Sequence, residues 1–305
     1  MEREQLVSEI QKLKQETGAV VLAHTYQIPD IIDLADITGD SFKLSQRAVS
    51  VDARTIIMCG VRFMAETVKI LSPEKKVILA APDATCPMAE QISPERVAQF
   101  KKQNPDVAVC AYINTTAALK AECDFCVTSS SAVKIVKKIP NKSILFIPDK
   151  NLGAFVAKSV PEKNMILWDG YCPVHNTVTA EDIREAKRLH PGAPVAIHPE
   201  CPADAVTEAD FVGSTAAIID FAKNQPGDVI IATEARVSEY LSLKIKDRRF
   251  WQPCPQKFTC ADMQLTGLEE LRDALAETGG VEITLDEPTR RKAKICIDRM
   301  LQYGG

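Results

Sequence analysis

Along this chain, short apolar runs alternate with longer stretches in which apolar residues return every three or four positions. The first pattern predicts strands buried on both faces, and the second predicts amphipathic helices. AVVLAHTYQ (19–27) reads as a strand with a polar end, IPDIIDLAD (28–36) as a short helix, and TGDSFKLSQRAV as a helix starting near Ser41. RTIIMCG (54–60) and KKVILAAP (75–82) are strands flanking the helix VRFMAETVKIL, and a cysteine stretch, DATCPMAE, follows. SPERVAQFKKQ (93–103) then opens a helix, with Ser93 as cap and Pro94 at the first helical position.

The same order restarts at DVAVCAYINTT (106–116) and again at APVAIHPEC (193–201). Spacing supports a repeat. The first strand of each unit ends at His24, Tyr112 or His198, and twelve residues later stands Asp36, Asp124 or Asp210. Seventeen residues after the same positions stand Ser41, Ser129 and Thr215. From those hydroxyls the next cysteines of interest lie 45, 43 and 45 residues on, at Cys86, Cys172 and Cys260. Such a period is too long for a solenoid module and suits small α/β domains. The expected fold is α/β: three similar three-layer α/β/α domains related by pseudo-threefold symmetry, each with a short parallel sheet. The expected boundaries are 1–92, with a C-terminal helix at 288–303 packing on that repeat, then 93–178 and 179–287. LEELRDALAETGG and PTRRKAKICIDRMLQ are expected to be closing helices.

Composition narrows the function. With 305 residues, 46% hydrophobic and 26% charged, the chain has the make-up of a globular protein of about two domains. A net charge of −4 gives no reason to expect nucleic acid or an anionic membrane as partner. The amino terminus is a charged helical pattern without a signal-peptide core, and no apolar run reaches membrane-span length, so a cytoplasmic location is expected. In that compartment ten cysteines point to metal or catalytic use, or to buried packing, before disulfides.

Cys86, Cys172 and Cys260 stand apart because the repeat makes them equivalent. Three thiolates converging from three domains suit a [4Fe–4S] cluster with one iron left open, with zinc as the competing metal. Cys254 rivals Cys260 because proline follows it, as proline follows Cys86 and Cys172; spacing favours Cys260. The Cys123–Cys126 pair lacks the partner pair a zinc site needs, Cys59, Cys110 and Cys296 read as packing residues, and Cys201 is ambiguous. Ser41, Ser129 and Ser214–Thr215 each precede a helix, where free N–H groups donate to phosphate or carboxylate. His24 with Tyr26, Tyr112 with Asn114, and His198 with Glu200 are polar pairs two residues apart at strand ends, suited to holding carboxylates or moving protons.

The strings LAHTYQ, GDSFKLS, MAETVKIL, CPMA, AYINTTAALKA, TSSSAVKIV, IPDKNLG, WDGYCPVH, HPEC and GSTAAI together resemble the quinolinate synthases, over about residues 5 to 300. That resemblance implies three α/β domains and a [4Fe–4S] cluster held by one cysteine from each, here Cys86, Cys172 and Cys260. It implies condensation of iminosuccinate with dihydroxyacetone phosphate to quinolinate, phosphate and two waters, with the open iron as Lewis acid. It assigns substrate and product contacts to His24, Ser41, Tyr112, Asn114, Ser129, His198, Glu200 and Thr215, beside Ser214. Tyr26 and Glu200 become the acid–base candidates, with His24 and His198 in the catalytic set and His175 near the open iron. The implied partners are the two small substrates and the aspartate-oxidising enzyme that supplies iminosuccinate. The competing readings are another iron–sulfur hydro-lyase acting on a di- or tricarboxylate, a non-catalytic iron–sulfur sensor, and a zinc-stabilised structural protein.

Overall fold

The structure, a computed structural model, describes residues 2–304. Three sheets carry it, each built on four parallel strands. The first contains β1 (Val20–His24), β2 (Ile37–Gly39), β3 (Thr55–Cys59) and β4 (Lys76–Leu79). The second contains β5 (Ala108–Tyr112), β6 (Phe125–Val127), β7 (Ser143–Ile147) and β8 (Asn164–Leu167). The third contains β9 (Val195–Ile197), β10 (Phe211–Val212), β11 (Val229–Ala232) and β12 (Phe250–Trp251). In every sheet the spatial order is second, first, third, fourth strand, all parallel. Parallel neighbours need crossovers, and helices such as Ser41–Ser50, Ala132–Lys138 and Thr215–Asn224 supply them. The central strands are buried at almost every residue, as their uninterrupted Val, Ile and Leu runs require. The expected α/β architecture of short parallel sheets layered with helices is therefore the one observed.

The repeated aspartate is a strand clamp. Asp36, Asp124 and Asp210 each accept the backbone N–H of Val21, Val109 or Val195 at 2.8 Å. Their own N–H groups donate back to the carbonyls of those same residues at 2.9–3.0 Å. A lysine from the preceding helix completes each clamp: Lys14 on Asp36, Lys101 on Asp124, Lys187 on Asp210, at 2.8, 2.8 and 3.1 Å. The aspartate thus supplies one more acceptor where the sheet ladder between first and second strands begins.

A fifth strand was not foreseen. β13 (Val281–Glu282) pairs antiparallel with β4, after the helix Leu268–Leu275. Glu277 (φ 57°) and Gly280 (φ 74°) turn the chain there. A side chain at Gly280 would stand 2.8 Å from Ile78 and 3.0 Å from the Leu79 carbonyl, so only glycine fits.

The chain forms two compact units. One comprises residues up to Cys86 with Thr116–Ala121 and Ala261–Ile295, and contains the first sheet. The other comprises Pro87–Thr115, Glu122–Cys260 and the chain from Cys296 onward, and contains the second and third sheets. The last helix, Glu287–Gly304, contributes to both: Arg290 donates to the Ile70 carbonyl in the first unit, and Arg299 to the Asp124 carbonyl in the second. No helix among the described residues is long and apolar enough to cross a membrane.

Candidate functional site

A second recurring device fixes the cysteine segments. The first backbone N–H of the helix after each third strand donates to the carbonyl two residues before a cysteine. Arg62 donates to Ala84, Lys150 to Gly170 and Ala235 to Phe258, at 2.9, 2.8 and 2.9 Å. The cysteines two residues on are Cys86, Cys172 and Cys260. All three are half-buried, whereas Cys59, Cys110, Cys123, Cys126, Cys201 and Cys296 are buried. Cys201 lies in the core under the third sheet, beside Ile197, Ile230 and Phe258.

Cys254, though also half-buried, is engaged elsewhere. Its thiol donates to Asp182 at 3.1 Å, and burial together with that carboxylate pushes it up to about 11. Asp182 also caps the helix Ala180–Leu189 through Thr179 and pairs with Lys257 at 2.6 Å. A neutral thiol held this way is a poor thiolate donor.

The Cys172 segment is the most heavily braced. Gln91 clamps the neighbouring peptide, accepting from Tyr171 N–H at 2.8 Å and donating to its carbonyl at 3.0 Å. A side chain at Gly170 would lie 2.4 Å from the Pro148 carbonyl, so glycine permits this approach. The fully buried Asp149 accepts the Cys172 N–H at 3.1 Å. Burial and the nearby Glu200 carboxylate push Asp149 up to about 8, against the pull of three backbone N–H groups.

Beside Cys172 lies a buried polar cluster built from both sheets of this unit. Glu200, 4% exposed, accepts from the Tyr112 hydroxyl at 2.5 Å through one oxygen. Its other oxygen lies 2.9 Å from His175 Nδ1. That nitrogen is also 3.3 Å from the Cys172 sulfur, while His175 Nε2 meets the Thr233 hydroxyl at 3.0 Å. Cys172, His175 and Glu200 place one donor atom each within 4.8 Å of one another, a spacing that suits a metal. Burial works to raise Glu200, but the bonds from His175 and Tyr112 outweigh it and hold the carboxyl below its usual range. His198 is itself pushed down to about 4, chiefly by burial, and is neutral at pH 7. The direct bonds from Tyr112 and His175 are therefore what the Glu200 carboxylate depends on.

His24 and His198 share one local geometry. Each accepts, at Nδ1, the N–H two residues on: Tyr26 for His24 at 3.2 Å, Glu200 for His198 at 3.4 Å. An accepting Nδ1 places the proton of a neutral ring on Nε2. In the first unit the His24 and Tyr26 rings meet edge-on at 4.5 Å. Ser41 and Thr215 are the first residues of ten-residue helices capped by Asp40 and Ser214. Ser129 lies in the turn before the helix Ala132–Lys138, and Asn114 is half-buried just past β5.

The second unit thus brings together Tyr112, Cys172, His175, His198 and Glu200, whereas His24, Tyr26, Ser41 and Cys86 belong to the first. Sequence reasoning missed Thr233, Asp149, Glu234 and Asn151. Asn151 donates to the Glu200 carbonyl and to Asn176, both at 2.9 Å. Glu234 accepts the Cys260 N–H at 3.4 Å, and burial pushes it up to about 7. Acidic residues after the third strand of the second and third repeats were the available signal.

The sequence model of the family described as quinolinate synthetase A protein matches residues 8–302. Proteins named quinolinate synthase are similar over the full length. One from Caldicellulosiruptor bescii is 45% identical over 305 residues, covering all of both chains. Another, from Alkaliphilus metalliredigens, is 43% identical over 303 residues, covering 99% of each. A third, from Clostridioides difficile, is 45% identical over 283 residues, covering 92% of this chain and 93% of its own.

Proposed function

The chain belongs to the quinolinate synthetase A family, enzymes of NAD biosynthesis, and from that premise we propose its reaction. It condenses iminosuccinate with dihydroxyacetone phosphate, giving quinolinate, phosphate and two waters. The observation that carries this reading is the buried Glu200 carboxylate held between Tyr112 and His175 beside the Cys172 sulfur.

The donor chemistry fits an iron–sulfur cluster. Cys86, Cys172 and Cys260 occupy one backbone position in three repeats and are half-buried, while the remaining thiols are in the core or bonded to Asp182. We assign these three cysteines as its ligands. When bound, a [4Fe–4S] cluster so held supplies an open iron that acts as a Lewis acid on a substrate oxygen.

The chain's own residues do the rest. Glu200 takes and returns protons in the condensation, and Tyr112 and His175 keep it ionised between turnovers. Tyr26 is its counterpart in the first unit. The Nε2–H groups of His24 and His198 donate to substrate carboxylates, and Asn114 orients the same skeleton. Ser41, Thr215 and the N–H groups at those two helix starts hold the anionic groups, joined by the Ser129 hydroxyl. His175 positions Cys172 and Glu200 together. The domains remain as proposed from the repeat, 1–92 with the C-terminal helix, 93–178 and 179–287. The aspartate-oxidising enzyme that makes iminosuccinate is the proposed upstream partner.

The test is direct. Protein purified without oxygen and carrying iron and sulfide is expected to form quinolinate from iminosuccinate and dihydroxyacetone phosphate. Loaded protein that forms none, yet dehydrates another di- or tricarboxylate, would overturn the assignment.

A further inference from the structure

Asp149 and Glu234 have no part in the steps above, yet both side chains are fully buried at strand ends. Each is the cap of a ten-residue helix, Asp149 through the Leu152 N–H and Glu234 through the Arg236 N–H, both at 2.8 Å. Each also reaches, with its other oxygen, the peptide N–H of a proposed cluster ligand: Cys172 at 3.1 Å and Cys260 at 3.4 Å. The corresponding cap in the first repeat is Val61, which has no side-chain bond to give. The device is therefore built into the second and third repeats and absent from the first, and is tightest at Asp149.

We propose that Asp149 is a positioning residue for Cys172. It ties the peptide from which the ligand sulfur projects to the start of the helix Lys150–Ser159, so the ligand is oriented by the fold before any cluster is present. Glu234 does the same for Cys260 across a longer, weaker bond. The inference rests on the cluster reading given above. A carboxyl group suits the task because it offers one oxygen to each of two diverging N–H donors. Asparagine keeps the helix cap with its single oxygen but turns an NH₂ toward the Cys172 N–H. Serine keeps the cap and leaves that N–H unanswered.

The experiment compares wild type with Asp149→Asn, Asp149→Ser and, as a cap removed elsewhere, Thr179→Ala. Each is purified anaerobically and reconstituted, and loss of the cluster's visible absorbance is followed under excess iron chelator. Both Asp149 variants are expected to lose the cluster about 10–100-fold faster, the usual cost of removing a residue that orients a metal ligand. Thr179→Ala is expected to keep the wild-type rate. The electron paramagnetic resonance signal of the dithionite-reduced protein is expected to shift in Asp149→Asn alone among Asp149→Asn, Thr179→Ala and wild type. Wild-type kinetics and spectra in both Asp149 variants would overturn the proposal. So would equal acceleration in Thr179→Ala, since loss of any helix cap would then account for the effect, or failure of both Asp149 variants to fold, since the bond to the Cys172 N–H would then serve the fold rather than the ligand. Wild-type protein lacking iron and sulfide refutes the cluster reading itself, before any variant is compared.

Discussion

Replacing Cys254 and Cys260 separately by serine distinguishes a thiol that packs from one that ligates. Cys254 donates to Asp182 at 3.1 Å and is pushed up to about 11, so at pH 7 it is a neutral hydrogen-bond donor. Serine keeps a donor there, and Asp182 retains Lys257 and its cap on Thr179. The expected stability cost is a fraction of one hydrogen bond, about 1 kcal/mol or less. For a chain of this size that lowers the thermal midpoint by no more than about 3 °C. Iron and acid-labile sulfide of the anaerobically prepared Cys254→Ser protein should match wild type. Cys260 differs, because its segment is held by the Ala235-to-Phe258 backbone bond, which serine leaves untouched. Cys260→Ser should therefore fold normally while its cluster content falls at least about 10-fold, as one of the three proposed thiolate ligands is gone. Loss of the cluster in Cys254→Ser, with retention in Cys260→Ser, would refute the positional equivalence of Cys86, Cys172 and Cys260.

Three further outcomes are expected. Glu200→Gln gives two donors, Tyr112 and His175, a single acceptor oxygen, and should cost about 1–3 kcal/mol of stability by denaturant melt. The same variant should lower the rate of quinolinate formation by about 10²–10⁴-fold with the cluster intact; a near-normal rate would remove Glu200 from proton transfer. Asp124→Ala strands the Val109 N–H and Lys101 and should destabilise by about 1.5–3 kcal/mol in urea, with Asp36→Ala behaving alike in its own unit. At Asp210 burial acts to raise the carboxyl, but the Val195 N–H and Lys187 outweigh it and lower its pKa. That contribution is complete above the unfolded value of about 3.9 and disappears as pH falls through the lower folded value. The stability gap between wild type and Asp210→Asn, measured by urea melts, should accordingly be open at pH 6 and closed near pH 2; a pH-independent gap would exclude the charge.

The strands were legible because buried parallel strands must be apolar throughout, so VVLAH, TIIMC, SILFI and VIIA announce themselves. β13 was not, since two residues carry no periodicity and only its pairing with β4 defines it. The twelve-residue interval to Asp36, Asp124 and Asp210 could be counted in the sequence, but its meaning as a clamp needed the backbone partner 15 residues upstream. For the site, residues at the ends of the first strands were found because they recur in all three repeats. Asp149 and Glu234 escaped because their places carry a helix-start signal, and the cysteines they touch lie 23 and 26 residues further on. Thr233 was hidden for the same reason, its partner His175 being 58 residues earlier.

The three strand clamps also bear on the order in which the chain acquires structure. Each closes over 15 residues, a short loop whose entropy cost is small and whose closure is fast compared with strand pairings of longer reach. Each repeat therefore carries its own local folding nucleus near its beginning, while its cysteine arrives about fifty residues later on a segment that has a sheet to settle against. A chain emerging in sequence can therefore close the clamp of each repeat before that repeat's proposed ligand cysteine appears. The ligand cysteines then join a segment that already has its repeat's first two strands tied together.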